Sequence, residues 1–156
     1  MATLILLLTA ASEPGSLPAP DAASGEKTQM HPDMGEVDVR FEGLRSTRGM
    51  IRACLTREPR YFPHCDKDPA SYKASVAAAN GAQLRFAGVT PGDYALTVLH
   101  DENSNFKADM MFGIPREGVG FSRNPKLIMS APKFDAVRFR VAAAPTAQTI
   151  KFQYFL

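Results

Sequence analysis

No stretch of this chain is apolar for long enough to span a bilayer, its basic residues form no cluster, and cysteine occurs only twice. Each shortage narrows the function. The longest apolar run, residues 4–8, falls well short of the roughly 20 residues a membrane helix needs. Eighteen Lys and Arg against 16 Asp and Glu leave a net charge of +2, and the basic residues are scattered along the chain rather than clustered as the footprint of a nucleic-acid or anionic-lipid binder would need. A sustained helical period is also lacking, and 12 prolines with 11 glycines across 156 residues argue for short elements joined by turns. With 45% apolar residues the chain can fill one core, and its length leaves no room for a second.

What is present points to export. Leu4, Leu8 and their apolar neighbours, followed by the small residues Thr9, Ala10, Ala11 and Ser12, have the pattern of a secretory signal core and cleavage region. Met1, Ala2 and Thr3 supply no basic n-region, which places the true start upstream or makes the signal a weak one; a buried N-terminal strand is the alternative. Residues 1–24 are assigned to the signal and the start of a linker, 25–35 to flexible linker and 36–156 to the folded domain; residues 13–28 are rich in Pro, Ala, Ser and Gly. No Cys lies near the cleavage region, so no lipid anchor is expected.

The two cysteines, Cys54 and Cys65, bracket a turn-rich segment containing Pro59 and Pro63. Bonded to each other they close a short loop, worth about 3 kcal/mol in the chain-entropy account. The alternatives are free thiols or a zinc pair completed by His64 and Asp66, but the spacing is not a zinc spacing and an exported chain meets an oxidising compartment.

Strand periodicity recurs along the domain. Val37, Val39 and Phe41 alternate with charged residues; residues 49–55 form a second apolar run and 71–79 a weaker third, whose alanines are equally compatible with a helix. Asn80-Gly81 is a hairpin turn signal, and Pro91-Gly92 makes the next turn. Residues 94–99 are apolar on both alternating faces, the pattern of a central strand. Residues 101–133 lose the alternation, and an irregular excursion that long tends to be functional. Val137, Phe139 and Val141, then Ile150, Phe152, Tyr154 and Leu156, restore it and predict two antiparallel neighbours. The expected fold is all-β: a single antiparallel β-sandwich of about seven strands with one long irregular loop, a small barrel being second.

The run from Phe86 through Pro91, Gly92 and Tyr94 to Val98 resembles a hairpin found across transthyretin-like, or prealbumin-like, sandwich domains. Together with His100, Asp101, Glu102, Asn103, Ser104 and Asn105, then Asp109, Gly113-Ile114-Pro115-Arg116-Glu117-Gly118 and Gly120-Phe121-Ser122, it resembles the exported bacterial family called domain of unknown function 2141. The resemblance covers residue 36 to the C-terminus and implies an extracytoplasmic, periplasmic or extracellular, transthyretin-like sandwich with no activity attached. Some transthyretin-like proteins hydrolyse hydroxyisourate. They end in Tyr-Arg-Gly-Ser, whereas this chain ends in Phe152, Gln153, Tyr154, Phe155 and Leu156.

One constellation has metal-ligand spacing. Asp101, Asn103, Asn105 and Asp109 stand at relative positions 1, 3, 5 and 9, with the carbonyl of Lys107 at position 7, as in calcium loops. Phe106 replaces the usual Gly at position 6 and Phe112 the closing Glu at position 12, so a closing carboxylate must come from elsewhere. The alternative is a set of Asx-turns at a strand end. Arg116, Glu117, Phe121 and Ser122 are candidates for a ligand-binding loop; the alternative is a cover over one end of the sandwich. His100 beside Asp101 invites a general-base reading, with Ser122 as the nucleophile it would need, against that of a satisfied structural His. Met30, His31, Met34, Met110 and Met111 carry soft donors for copper, though scattered methionines usually fill gaps. These readings lead to an exported, noncatalytic binding or envelope-associated module with an unknown extracytoplasmic ligand or envelope partner, its loop ordered by calcium. A small-substrate hydrolase and a structural adhesion or secretion-accessory domain are the alternatives.

Overall fold

In the computed structural model, residues 33–80, 83–128 and 130–156 are described. The signal assignment, nearly all of the linker, and the Met30-His31 pair lie outside them.

The domain is an all-β sandwich. Strand β1 (Gly35–Glu42) forms the centre of a three-stranded sheet, between β10 (Pro145–Lys151) and β4 (Gln83–Val89). The facing sheet runs in the order β3 (Tyr72–Ala77), β2 (Met50–Thr56), β5 (Gly92–Asp101), β8 (Gly118–Phe121), and β9 (Phe139–Val141) also pairs with β5. The period-two pattern works as expected in β1, where Val37, Val39 and Phe41 are buried and Arg40 is exposed. These meet Ile51, Leu55, Leu96, Val98, Val141 and Ile150 in the principal core. The other face of β5 carries a second, smaller core in which Ala95, Phe121 and Val137 pack with Phe62 and Phe134. That strand is therefore buried on both faces, as its composition predicts.

Three expectations about connection need correction. β3 and β4, on either side of the Asn80 turn, belong to different sheets, and so do β4 and β5 on either side of Pro91. Both links are crossovers between sheets rather than hairpins; Gly81 itself lies outside the described residues. Tyr94 secures the second crossover, its hydroxyl donating to Thr90 O at 2.8 Å while Tyr72 Oη accepts from Thr90 N at 3.0 Å. Finally, β9 and β10 are not neighbours: β9 pairs with β5, and β10 lies parallel to β1, with Val39 opposite Gln148. The parallel pair is the one departure from an antiparallel sandwich among the named strands. Val137 belongs to the one-turn helix α1 (Phe134–Val137) that precedes β9.

The 101–133 excursion contains structure that alternation did not predict. A small hairpin pairs β6 (Met110–Met111) with β7 (Ile114–Pro115), and β8 follows. β8 has little side-chain pattern because its glycines serve close approach: a Cβ on Gly118 would run into the Tyr154 ring, and one on Gly120 into Ile150.

Candidate functional site

The sulfurs of Cys54 and Cys65 lie at bonding distance, with Cα atoms 6.3 Å apart. The bond ties β2 to a loop containing two short 3-10 turns, Pro59–Tyr61 and Cys65–Lys67. Asp68 anchors the loop from inside: it is buried, accepts from Thr56 Oγ1 at 2.6 Å, and accepts from Ala70 N at 2.9 Å. Outside, Arg60, Tyr61, His64 and Lys67 line an open hollow of about 450 Å³. His64 and Asp66 are exposed and take no part in holding the sulfurs.

The 101–117 segment is held by the same device with more parts. β5 ends at Asp101, which has no exposed surface. One carboxylate oxygen accepts from Asn105 N at 3.0 Å; the other accepts from Phe106 N at 3.0 Å and from Arg52 Nε at 2.5 Å. Burial alone raises the pKa of this carboxyl, but Arg52 and the two amides outweigh it and hold the group below the ordinary Asp range. Asn103 Oδ1 accepts from Asn105 N and Asn105 Oδ1 from Lys107 N, two successive Asx-turns. Both Asn amides donate to Asp109, at 2.7 and 3.0 Å.

Glu117, placed among the binding-loop candidates, is buried and caps this segment from the far side. Its two oxygens accept from Glu102 N at 3.0 Å and Asp109 N at 3.2 Å. Desolvation pushes its pKa up, and the nearby charges of Asp101 and Asp109 add to the effect. Three carboxylates thus feel one another here. Among the described residues, however, no three Asp, Glu, His or Cys side chains are grouped to hold a metal ion. The oxygens of Asn103, Asn105 and the Lys107 carbonyl would have to complete any such shell.

Phe121 and Ser122 also lie inside, leaving Arg116 as the exposed member of that candidate set. The Ser122 hydroxyl donates to Val137 O at 2.6 Å and accepts from Leu96 N at 3.1 Å, bonds that join β5 to the segment before β9. His100 is fully buried, with Nε2 2.9 Å from Arg48 O and Nδ1 2.8 Å from Tyr154 Oη. A carbonyl can only accept, so Nε2 carries a proton, and in the neutral ring Nδ1 accepts from the tyrosine hydroxyl. The structure does not bring His100 and Ser122 together as base and nucleophile.

Sequence reasoning missed Arg45 and Arg52. Arg45 grips Glu102 through Nε at 3.0 Å and Nη2 at 2.5 Å, donates to Arg116 O at 2.8 Å, and lies over the Tyr154 ring. That grip, foremost, lowers the Glu102 pKa. The only local signals were a cation just beyond β1 and another within β2, and neither names its partner.

On this frame stands an apolar tip. Phe112 is 95% exposed, Phe106 77%, Met110 54% and Met111 40%; of the six large apolar side chains exposed among the described residues, four are here. Phe112 and Gly113 form the hairpin turn with φ of 52° and 78°, the type I′ sign pattern. Phe106, at φ 66°, lays its ring 3.6 Å from the Arg52 guanidinium carbon. Both aromatics occupy backbone positions where Gly or Asn is preferred.

Among the described residues no helix is long and apolar enough to cross a membrane. No curated protein and no solved structure matches the chain. The sequence model of one family matches residues 39–149, from the middle of β1 through most of β10 and including the whole apolar segment with its carboxylate frame. The chain therefore belongs to the family described as "Uncharacterized protein conserved in bacteria (DUF2141)".

Proposed function

We propose that this protein is an exported, noncatalytic, envelope-associated binding module of transthyretin-like type, with the 101–117 segment as its working end. One observation carries the reading: four large apolar side chains stand in solvent on a segment whose base is fastened by two buried carboxylates. A connector under no functional demand would turn such residues inward or do without them, since contiguous exposed apolar patches mark interaction sites. The signal-like N-terminal pattern and the closed cysteine pair support export, and the resemblance of residues 86–98 supports the transthyretin-like type. Expression of the full chain in a bacterial host, followed by fractionation and N-terminal sequencing, is the test. The expected product begins between residues 11 and 24 and lies outside the cytoplasm; soluble cytoplasmic protein beginning at Met1 overturns the proposal.

A second reading, calcium ordering of the same loop, is favoured by the repulsion from Asp101 and Asp109 that adds to burial in raising the Glu117 pKa. A hard cation near Asp109 would relieve it, and Phe106 already has the positive φ that calcium loops give to Gly at that position.

A further inference from the structure

Resting on the envelope-associated reading, the geometry points to an anionic lipid surface as what the 106–112 tip engages, with Phe106, Met110, Met111 and Phe112 entering the headgroup boundary. Shape comes first. The four side chains stand on a loop and on a hairpin with a two-residue turn, and together present on the order of 400 Å². That is about half of the roughly 800 Å² each partner contributes to a standard protein interface. A lipid boundary sets no such minimum, because each inserted side chain leaves water independently.

Charge supplies the second argument. Of the carboxylates at this end, Asp101 is buried against Arg52, Glu117 is buried, Glu102 is gripped by Arg45 and Ser46, and Asp109 is half-buried and accepts two Asn amides. Arg48, Lys107 and Arg116 are exposed, and none of the three has an ion-pair partner among the described residues. Lys107 and Arg116 flank the hairpin on its two sides in sequence, while Arg48 borders the base of the segment through its carbonyl's bond to His100. Three cations that are scattered in the sequence thus border one exposed apolar segment, a combination that anionic headgroups attract and the acyl boundary retains. Phe112 also holds a backbone conformation that Gly would adopt more cheaply, so its exposed ring is kept against local preference.

The chain has no Trp, so Phe112→Trp creates a single reporter. The full chain carrying it is mixed with vesicles of phosphatidylcholine alone or with added phosphatidylglycerol. Tyr61→Trp, in the disulfide loop, serves as the control. The expected result is a blue shift of the Phe112→Trp emission on phosphatidylglycerol vesicles, weakened by salt, with little change for the control. In co-flotation, Met111→Ser combined with Phe112→Ser lowers partitioning about tenfold, and Lys107→Glu or Arg116→Glu lowers it about fivefold each. Because the N-terminal segment is identical in all variants, these differences report on the tip. Unchanged emission on anionic vesicles overturns the inference, as does equal flotation of the double variant. So does a shift that appears with protein concentration and no lipid, which would make a second copy the occupant. If any of these occurs in a chain that is exported, the lipid assignment falls and the envelope module stands. A cytoplasmic chain beginning at Met1 brings down the wider reading whatever the vesicles show.

Discussion

Two loops leave the larger sheet, and they are fastened alike but finished differently. The 57–68 loop hangs from β2, closed by the Cys54–Cys65 bond and anchored by buried Asp68. The 101–117 segment continues from β5 without a covalent tie, anchored by buried Asp101 and Glu117. In both, a carboxylate removed from water accepts backbone amides that would otherwise lack partners. The first loop turns Phe62 into the second core and leaves polar residues outside; the second turns its carboxylates in and its phenylalanines and methionines out. Anchoring is a stability problem that either loop solves, whereas the side chains left in water follow from what the loop is for.

The comparison breaks most sharply at Asp101. Asp101→Ala leaves the Arg52 guanidinium, mostly enclosed, without its carboxylate, and strands the amides of Asn105 and Phe106. The expected loss is about 4 kcal/mol in chemical unfolding, in the range for removing one member of a buried pair. A loss below about 1 kcal/mol would show that the segment is not held through this residue. Cys54→Ser, or reduction of the bond, should cost about 3 kcal/mol through loop-closure entropy alone. Because the bond lies away from the apolar tip, the variant should keep whatever binding the tip provides. A parallel loss of tip binding in folded protein would mean that the two loops are coupled.

How much of this was readable beforehand depended on the range of the signal. Alternation in β1 and the two-faced character of β5 are local patterns, and both strands form as they predict. Asn80 and Pro91 correctly marked places where the chain turns, but a turn signal describes local backbone and does not say whether the next strand rejoins the same sheet. The parallel pairing of β10 with β1 joins residues more than a hundred positions apart, which no window detects. β8 was hidden because Gly118 and Gly120 answer to Tyr154 and Ile150 rather than to a period. In the candidate site, Asp101 and Asp109 were legible as turn-forming acids, while Arg52 reaches Asp101 across 49 residues and Glu117 looked like a surface group.

Glu117 and Asp101 also sharpen the comparison through opposite responses to pH. Glu117→Ala strands the Glu102 and Asp109 amides and should cost about 2 kcal/mol. In the intact protein Glu117 has a folded pKa above its unfolded value, so the folded state binds the extra proton. Stability should therefore rise as pH falls through the window just above the ordinary Glu value. Asp101 is depressed, so its contribution is complete above the ordinary Asp value and is lost as pH falls below it toward the folded pKa. Stability against pH should thus pass through a maximum on the acid side. Glu117→Gln should flatten the upper limb, and Asp101→Asn should reduce the contribution of the lower one. Urea unfolding at a series of pH values reads both, and a curve that only falls on acidification from neutrality contradicts the Glu117 assignment.

The smallest expected effect separates a loop complete in itself from one that a cation would further order. As folded, Asp109 takes two Asn amides, and those of Asn103 and Asn105 would have to turn for their oxygens to face an ion. Calcium binding would therefore exchange existing hydrogen bonds for coordination, and without a closing Glu at position 12 its affinity should fall in the weak extracellular class, about 0.1 to 1 mM. At ten times that dissociation constant the stabilisation is about 1.4 kcal/mol by mass action. Asp109→Asn is the informative variant: Asp109 is half-buried and bonds to side-chain amides, whereas a change at Asp101 would unsettle the fold itself. Thermal unfolding with calcium, magnesium or chelator should show a rise specific to calcium in the wild type and none in Asp109→Asn. If both respond equally, the ion acts elsewhere; if neither responds, the two Asx-turns and the Glu117 cap are sufficient, and the 101–117 segment, like the disulfide loop, is ordered by its own chain.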